Sequence, residues 1–223
     1  MNAVEHPRLV DCSHVVESGM VTYPGLPGPV VDEHLSRAAS REVYAPGTEF
    51  HIGRIQMVAN TGTYLDAPFH RFAGGDDLAD LPLRCTVDLP LVLVRVADRV
   101  IEPASLAGRE VRGRAVVFAT GWDRHWGTDA YAHGHPHLSA ATAELLVRGG
   151  AALVGIDSLN IDGTHDGERP VHTALLAAGI PIVEHLCNLD QVREPGRFFA
   201  APVAVRGLGT FPVRAFVLLD PAP

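Results

Sequence analysis

The chain has 223 residues and a formal net charge of −8 at pH 7, with 47% hydrophobic and 20% charged residues. This length suits one α/β domain with a full core, and the composition is globular rather than disordered. The acidic balance argues against nucleic acid as a partner, because phosphate binding needs a surplus of Lys and Arg. Apolar stretches such as Ala174–Val183 contain Gly and Pro, and they are too short for a membrane span of roughly 20 residues.

The cysteines and the first residues of the chain indicate the cellular compartment. Cys12, Cys85 and Cys187 are widely spaced and form neither a CxxC motif nor a disulfide framework. This pattern favours a reducing environment. The beginning of the chain also lacks the basic start and apolar run of a signal peptide. We therefore expect a cytoplasmic protein.

The turn-rich loop Tyr23–Pro29 precedes a series of predicted strands and is the kind of segment that shapes a pocket mouth. Apolar, β-branched runs bounded by turn formers predict the strands. These runs are Ile52–Ala59, Thr86–Val96, Ala115–Thr120, Ala152–Ile156, Ile180–Leu186 and Arg214–Leu219.

Two helices are predicted between these strands. Ser139 is a good N-cap for a helix over Ala140–Arg148, which the following glycine pair ends. Pro170 suits the first turn of a helix that runs through Ala178, and Gly179 supplies its left-handed cap. Strand–helix–strand units occur only in the C-terminal half. We therefore predict one α/β domain with a mixed sheet over residues 1–223.

The segment from Asn60 to His70 holds the densest set of chemical groups. Pro68 favours an extended conformation at the residue before it. If the whole segment is extended, Asn60, Tyr64, Asp66 and His70 lie on one face. The alternative is a β-turn in which Asp66 caps a backbone amide and His70 is a surface residue.

A second group of polar residues follows in the C-terminal half. His172 falls in the first turn of the second helix, where the macrodipole disfavours imidazolium and leaves an imidazole able to bind metal. Glu184 interrupts an apolar run, and a buried carboxylate must be paired, protonated or bound to a cation. A salt bridge with an Arg is the alternative for Glu184. Together with Asp66, these residues form a set typical of zinc or manganese sites with an open position.

The remaining histidines are weaker candidates. His133, His135 and His137 alternate in a loop and could chelate a metal, but a solvated loop is the better interpretation, because no carboxylate or thiolate follows at helix spacing. We interpret His51 and His185 as strand-edge or core histidines.

The 60–70 segment resembles the metal-binding motif of the cyclase family, which includes bacterial kynurenine formamidase and isatin hydrolase. The family pattern is His-x-Gly-Thr-His-x-Asp-x-Pro-x-His. Asn60 and Tyr64 stand where the family has its first two histidines. The matching positions are Gly62, Thr63, Asp66, Pro68 and His70, and further similar segments are Gly121–Trp122, Gly155–Asp157, the stretch with His172 and Glu184, and Asn188–Asp190.

The resemblance implies a swivelling β/β/α-like architecture and a metal centre. In the family, the motif histidines and the Asp bind one ion, and that Asp binds a second ion with a downstream His and Glu. Asn60 could offer a carbonyl oxygen to a metal, but the neutral phenol of Tyr64 is a poor ligand, so the first ion should be weak or absent. We therefore expect one divalent ion, Zn²⁺ or Mn²⁺, with no ion as the alternative. Its ligands would be Asp66, His172 and Glu184. His70, which is unligated in the family, would be the general acid and base.

The resemblance further implies a metal-dependent, arylformamidase-like hydrolase. Its substrate would be an amide, formamide, lactam or cyclic ester of a small aromatic or cyclic metabolite, in contact with Tyr23 and Phe69. Family members form dimers or tetramers, so we expect a homodimer or homotetramer. Two alternatives stay open. One is a metal-free cyclase, isomerase or dehydratase that uses His70 and Tyr64 on a polyketide-type substrate, and the other is a non-catalytic ligand-binding relative.

Overall fold

The strands of the computed structural model, which describes residues 8–220, form a nine-stranded mixed sheet and two separate two-stranded ribbons. The strands are β1 (Arg8–Asp11), β2 (Val30–Leu35), β3 (Ile52–Gln56), β4 (Tyr64–Asp66), β5 (Leu89–Arg95), β6 (Val100–Ile101), β7 (Ala115–Ala119), β8 (His137–Leu138), β9 (Leu153–Ile156), β10 (Ile182–Glu184), β11 (Gly196–Phe199), β12 (Thr210–Pro212) and β13 (Phe216–Leu219). The α-helices are α1 (Arg37–Ser40), α2 (Ala140–Gly149) and α3 (Pro170–Ala177).

The large sheet has the order β1-β13-β11-β5-β7-β9-β10-β4-β12. Its centre is parallel, from β5 through β7 and β9 to β10. Antiparallel strands complete both sides, with β11, β13 and β1 beyond β5 and with β4 and β12 beyond β10. The predicted α/β domain with a mixed sheet is therefore confirmed.

Both faces of the central strands are buried, which explains their nearly continuous apolar sequences. Strand β5 directs Leu91 and Leu93 to one core and Val92 and Val94 to the other. The second core is covered by α2 and α3. The first core is closed by the curl of the sheet, because strands from both of its edges contribute to the same cluster of buried side chains.

The two predicted helices are confirmed to within one residue at each end. The Ser139 hydroxyl accepts a hydrogen bond from the Thr142 N–H at the start of α2, and Gly150 ends that helix with a φ of 74°. Pro170 opens α3, and Gly179 follows it with a φ of 72°. No helix within residues 8–220 is both long and apolar enough to cross a membrane.

The six predicted strands correspond to β3, β5, β7, β9, β10 and β13, each shorter than its apolar run. The run at Ile52–Ala59 ends as a strand at Gln56, and it pairs with β2 in an exposed ribbon outside the large sheet. The other strands in the described part of the chain were not predicted. They are only two to six residues long, which is too short for a clear period-2 pattern.

The 60–70 segment is extended only in part, between the two alternatives of a full strand and a turn. Only Tyr64–Asp66 forms a strand, and Pro68–His70 forms a 3₁₀ turn in which the His70 N–H donates to the Ala67 carbonyl at 2.9 Å. Proline at the first position of a short helix lacks only an N–H that would be unpaired there, so Pro68 favours this turn. His70 therefore reaches the site by a turn and not along the strand.

Candidate metal centre and active site

Three elements bring the predicted ligand residues together. Asp66 lies on β4, Glu184 on the neighbouring β10 and His172 on α3. In the β4–β10 ladder, Glu184 is directly opposite Tyr64, so both side chains leave the same face of the sheet. Asp66, His172 and Glu184 are all buried, with exposures of 0%, 6% and 1%.

Both predicted carboxylate ligands lie close to the His172 ring. The Nε2 atom of His172 lies 3.7 Å from Asp66 Oδ2 and 3.6 Å from Glu184 Oε1, near the roughly 3.3 Å between ligand atoms of a tetrahedral zinc ion with bonds of about 2.0 Å. Within the described residues, the group whose ligand atoms all lie within 4.8 Å of one another is Asp66, His70 and His172, so Glu184 would have to move toward Asp66 to share one ion with it. Asp66 Oδ2 is also buried without a hydrogen-bond partner among the described residues. A buried carboxylate oxygen of this kind needs a positive partner.

Asp162 orients His172 from the side opposite the proposed cation. His172 Nδ1 lies 2.7 Å from Asp162 Oδ2, and the same carboxylate accepts the backbone N–H groups of Val171 and His172 at 2.8 and 2.9 Å. A carboxylate on the far ring nitrogen is the usual support of a metal-binding histidine. Asp162 was missed in the sequence, where an Asp ten residues before His172 has no motif to mark it.

The carboxylates also control protonation in the metal-free protein. Although burial favours neutral His172, its hydrogen bond with Asp162 and the nearby charges of Asp66 and Glu184 raise its pKa to about 10. The expectation that the helix macrodipole keeps His172 neutral is therefore wrong for the metal-free state, because three carboxylates outweigh one helix terminus. Burial raises the pKa of Glu184 to about 7. The charge of His172 lowers this pKa, whereas the charge of Asp66 raises it.

His70 is held beside this cluster by Thr210 on β12. Ligand-type atoms of Asp66, His70 and His172 all lie within 4.8 Å of one another. The Thr210 hydroxyl donates to Asp66 Oδ1, so its oxygen accepts from His70 Nδ1–H, 2.8 Å away. This leaves the lone pair on His70 Nε2, and the side chain is 36% exposed. A Cβ at Gly209 would collide with the His70 backbone, so this approach requires glycine.

A chain of aromatic residues lies on the other side of Glu184. The Tyr64 hydroxyl donates to Glu184 Oε2 at 2.7 Å. His185 Nε2 lies 3.2 Å from the same hydroxyl, and Tyr131 Oη lies 2.9 Å from His185 Nδ1. Burial lowers the pKa of His185 to about 3, so this imidazole is neutral. Its full burial agrees with the interpretation of His185 as a core histidine.

A cavity of about 490 Å³ adjoins this chain. The Trp126 ring lies 5.6 Å from the His185 ring and 5.1 Å from the Tyr131 ring. Trp126 and Tyr131 line the cavity. Tyr23 and Phe69 are half-buried and are not among the described residues that line it. Their contact with substrate remains a prediction. Asn60 is half-buried.

A larger cavity, of about 740 Å³, lies at the carboxyl ends of β5 and β7. It is lined by parts of three segments that carry the family resemblance, including Gly121, Asp157 and Asn188, but not by the predicted ligands. Asp157 accepts bonds from the backbone N–H groups of Thr120 and Gly121, so it supports the turn after β7. We therefore place the candidate active site at Asp66, His70 and His172 and not in this larger cavity.

Comparisons with known proteins extend over nearly the whole chain. A family model described as a putative cyclase matches residues 10–163. Kynurenine formamidase of Bacillus cereus is 28% identical over 214 residues, covering 93% of this chain and 96% of that protein. A solved structure described as a potential metal-dependent hydrolase with cyclase activity is 25% identical, with a TM-score of 0.78 and coverage of 97% and 100%. Isatin hydrolase A of Labrenzia aggregata, bound to benzyl benzoate, shares the fold at 21% identity, with a TM-score of 0.82 and coverage of 96% and 94%.

Proposed function

Because this chain belongs to the putative cyclase family, we propose that it is a metal-dependent hydrolase of a small aromatic or cyclic metabolite. The bond cleaved is the C–N bond of an amide, formamide or lactam, or the corresponding bond of a cyclic ester. One observation carries the proposal. The buried, unpaired Oδ2 atom of Asp66 faces His172 Nε2 at 3.7 Å, next to Glu184.

Asp66, His172 and Glu184 would hold one divalent ion, Zn²⁺ or Mn²⁺. When bound, such an ion polarises a carbonyl group and lowers the pKa of a coordinated water to about 7. A second ion would need imidazole ligands that Asn60 and Tyr64 do not provide. The Tyr64 hydroxyl is already engaged with Glu184. We therefore propose a single-ion centre.

His70 is the proposed acid and base. Its Nε2 lone pair accepts a proton from the attacking water, whose oxygen adds to the substrate carbonyl carbon. The same proton then passes to the leaving nitrogen as the C–N bond breaks. Thr210 keeps Nδ1–H of His70 in a hydrogen bond and so fixes the tautomer that this role requires. The ionised Asp66 carboxylate accepts from Thr210 and stabilises the imidazolium form between the two transfers.

The aromatic cavity supports a planar substrate. Trp126, which is half-buried and lines the cavity, offers its ring to an aromatic group, and aromatic pairs of this kind contribute about 0.5–1.5 kcal/mol beyond their buried area. The relatives are named for an N-formylated aromatic amine and for isatin, a cyclic amide. These names support an aryl formamide or lactam as the first substrates to test.

The test is turnover of an aryl formamide and of isatin by protein stripped with chelator and then reloaded with Zn²⁺ or Mn²⁺. We expect activity to disappear on chelation and to return with metal, and we expect folded His70→Gln to bind metal without turnover. Full activity after exhaustive chelation would instead favour the metal-free cyclase or isomerase. Tight binding of these compounds without any turnover would favour the non-catalytic relative.

We also propose that the protein assembles as a homodimer or homotetramer. The β2–β3 ribbon leaves apolar side chains open to solvent on both strands, including Val30 at 52%, Ile52 at 45% and Ile55 at 58%. A second copy of the chain would cover this surface. Light scattering should report a multiple of 23.8 kDa, and Ile55→Glu should shift it toward one chain. The cytoplasmic location stays a prediction from the sequence.

A further inference from the structure

The hydrogen bonds between Tyr131, His185, Tyr64 and Glu184 have only one consistent direction when Glu184 is ionised. A carboxylate can only accept, so the Tyr64 hydroxyl donates to Oε2. The Tyr64 oxygen must then accept from His185 Nε2–H. The neutral imidazole has no second proton, so His185 Nδ1 accepts from the Tyr131 hydroxyl. Each of the three protons therefore points toward Glu184.

The backbone conformation and the burial of the chain indicate that this arrangement is maintained. His185 has a φ of 57°, in the left-handed region that residues other than glycine seldom adopt. Tyr64 is 2% exposed, His185 is fully buried and Tyr131 is 4% exposed. Hydrogen bonds among buried groups are costly to leave unmade, so the three side chains support one another.

The bond from Tyr64 decides which Glu184 oxygen faces the cluster. Oε2 is taken by Tyr64, whereas Oε1 lies 3.6 Å from His172 Nε2 and accepts the Ile161 N–H at 2.7 Å. A carboxylate held at both oxygens cannot rotate. It can offer a cation one oxygen at a fixed position but cannot easily bind with both.

We infer that Tyr131, His185 and Tyr64 form a positioning chain, which fixes Glu184 as a one-oxygen ligand of the proposed cation. The inference rests on the proposed metal centre and assigns a role to three residues that do not touch the cation. It also explains why a tyrosine serves at position 64. The Tyr64 phenol reaches Glu184, its opposite residue in the β4–β10 ladder. It restrains this proposed metal ligand without binding the cation itself.

The experiment uses Tyr64→Phe, which keeps the ring and removes the hydroxyl. Zn²⁺ affinity is measured by calorimetry on stripped protein, and the visible spectrum of the Co²⁺-loaded protein reports coordination geometry. We expect Zn²⁺ binding to weaken about 10- to 100-fold, as for other supports of metal ligands. The Co²⁺ spectrum should change as Glu184 becomes free to bind with both oxygens. His185→Asn, which tolerates the left-handed backbone, should have a smaller effect in the same direction, and Tyr131→Phe the smallest.

The matched control is Tyr44→Phe, on an exposed tyrosine that packs against Phe50 outside the site. It should leave both Zn²⁺ affinity and the Co²⁺ spectrum unchanged. Parental affinity and spectrum in Tyr64→Phe, with parent protein that binds Zn²⁺, would overturn the positioning chain alone. Failure of the parent protein to bind Zn²⁺, Mn²⁺ or Co²⁺ would overturn the proposed metal centre itself. A loss of thermal stability in metal-free Tyr64→Phe with parental affinity would indicate a purely structural role.

Discussion

Metal binding should release about two protons per ion at pH 8, one from His172 and most of another from the coordinated water. The pKa of His172 is raised to about 10 in the metal-free protein, so at pH 8 it carries about 0.99 of a proton, against about 0.03 for a histidine at 6.5. Glu184, with a pKa of about 7, adds about a tenth of a proton. A metal ligand must be deprotonated, so the ion displaces about 1.1 protons from His172 and Glu184, and a coordinated water with a pKa of about 7 loses about 0.9 more.

The sign of the pH dependence follows from the same shift. Because the pKa of His172 is raised, the proton competes with the cation at every pH below about 10. This proton alone should make Zn²⁺ affinity rise about tenfold, or about 1.4 kcal/mol, for each unit between pH 7 and 9, and ionisation of the coordinated water makes the rise steeper. The assay is calorimetry at one pH in two buffers of different ionisation enthalpy, which counts released protons directly.

Asp162→Asn is the perturbation that isolates the cause. It removes the hydrogen bond that does most to raise the pKa of His172, so proton release at pH 8 should fall from about two toward one. Asp98→Asn, on an exposed carboxylate, should leave the count unchanged. Release of no more than about one proton by the parent protein, at saturating Zn²⁺, would refute the reasoning. His172 would then be neutral before binding or would not be a ligand.

Three further outcomes are expected. Elemental analysis of purified protein should give about one ion per chain, because a second ion lacks imidazole ligands. Asp66→Ala, His172→Ala and Glu184→Ala should each lose most metal affinity, whereas His70→Ala should keep the ion and lose turnover. Phe118→Ala, at a fully buried position between the sheet and the helices, should lower the free energy of unfolding by about 3–5 kcal/mol in denaturant titrations.

The controls for these outcomes are exposed residues of the same types. His34→Ala should change neither metal content nor turnover, and Phe50→Ala, 52% exposed, should cost less than about 0.5 kcal/mol. Two tightly bound ions per chain would contradict the single-ion centre. Metal loss in His70→Ala equal to that in Asp66→Ala would make His70 a ligand, which its proximity to Asp66 and His172 also permits.

The sequence predicted the features that depend on neighbouring residues. Ser139 and Gly150 mark the ends of α2 because a cap hydroxyl and a left-handed glycine act within one turn. Apolar, β-branched runs located the central strands because both faces of those strands are buried. The resemblance identified Asp66, His172 and Glu184, and in the structure both carboxylates lie within 4 Å of the His172 ring.

Tertiary structure decided everything that depends on which strands become neighbours. Thr210 meets His70 across 140 residues of sequence, and Tyr64 meets His185 across 121. No local pattern encodes these pairs, because they arise when β12 and β10 flank β4 in the curled sheet. The protonation of His172 was mispredicted for the same reason. A helix terminus can be recognised in sequence, but the three carboxylates that outweigh it are assembled only when the chain folds.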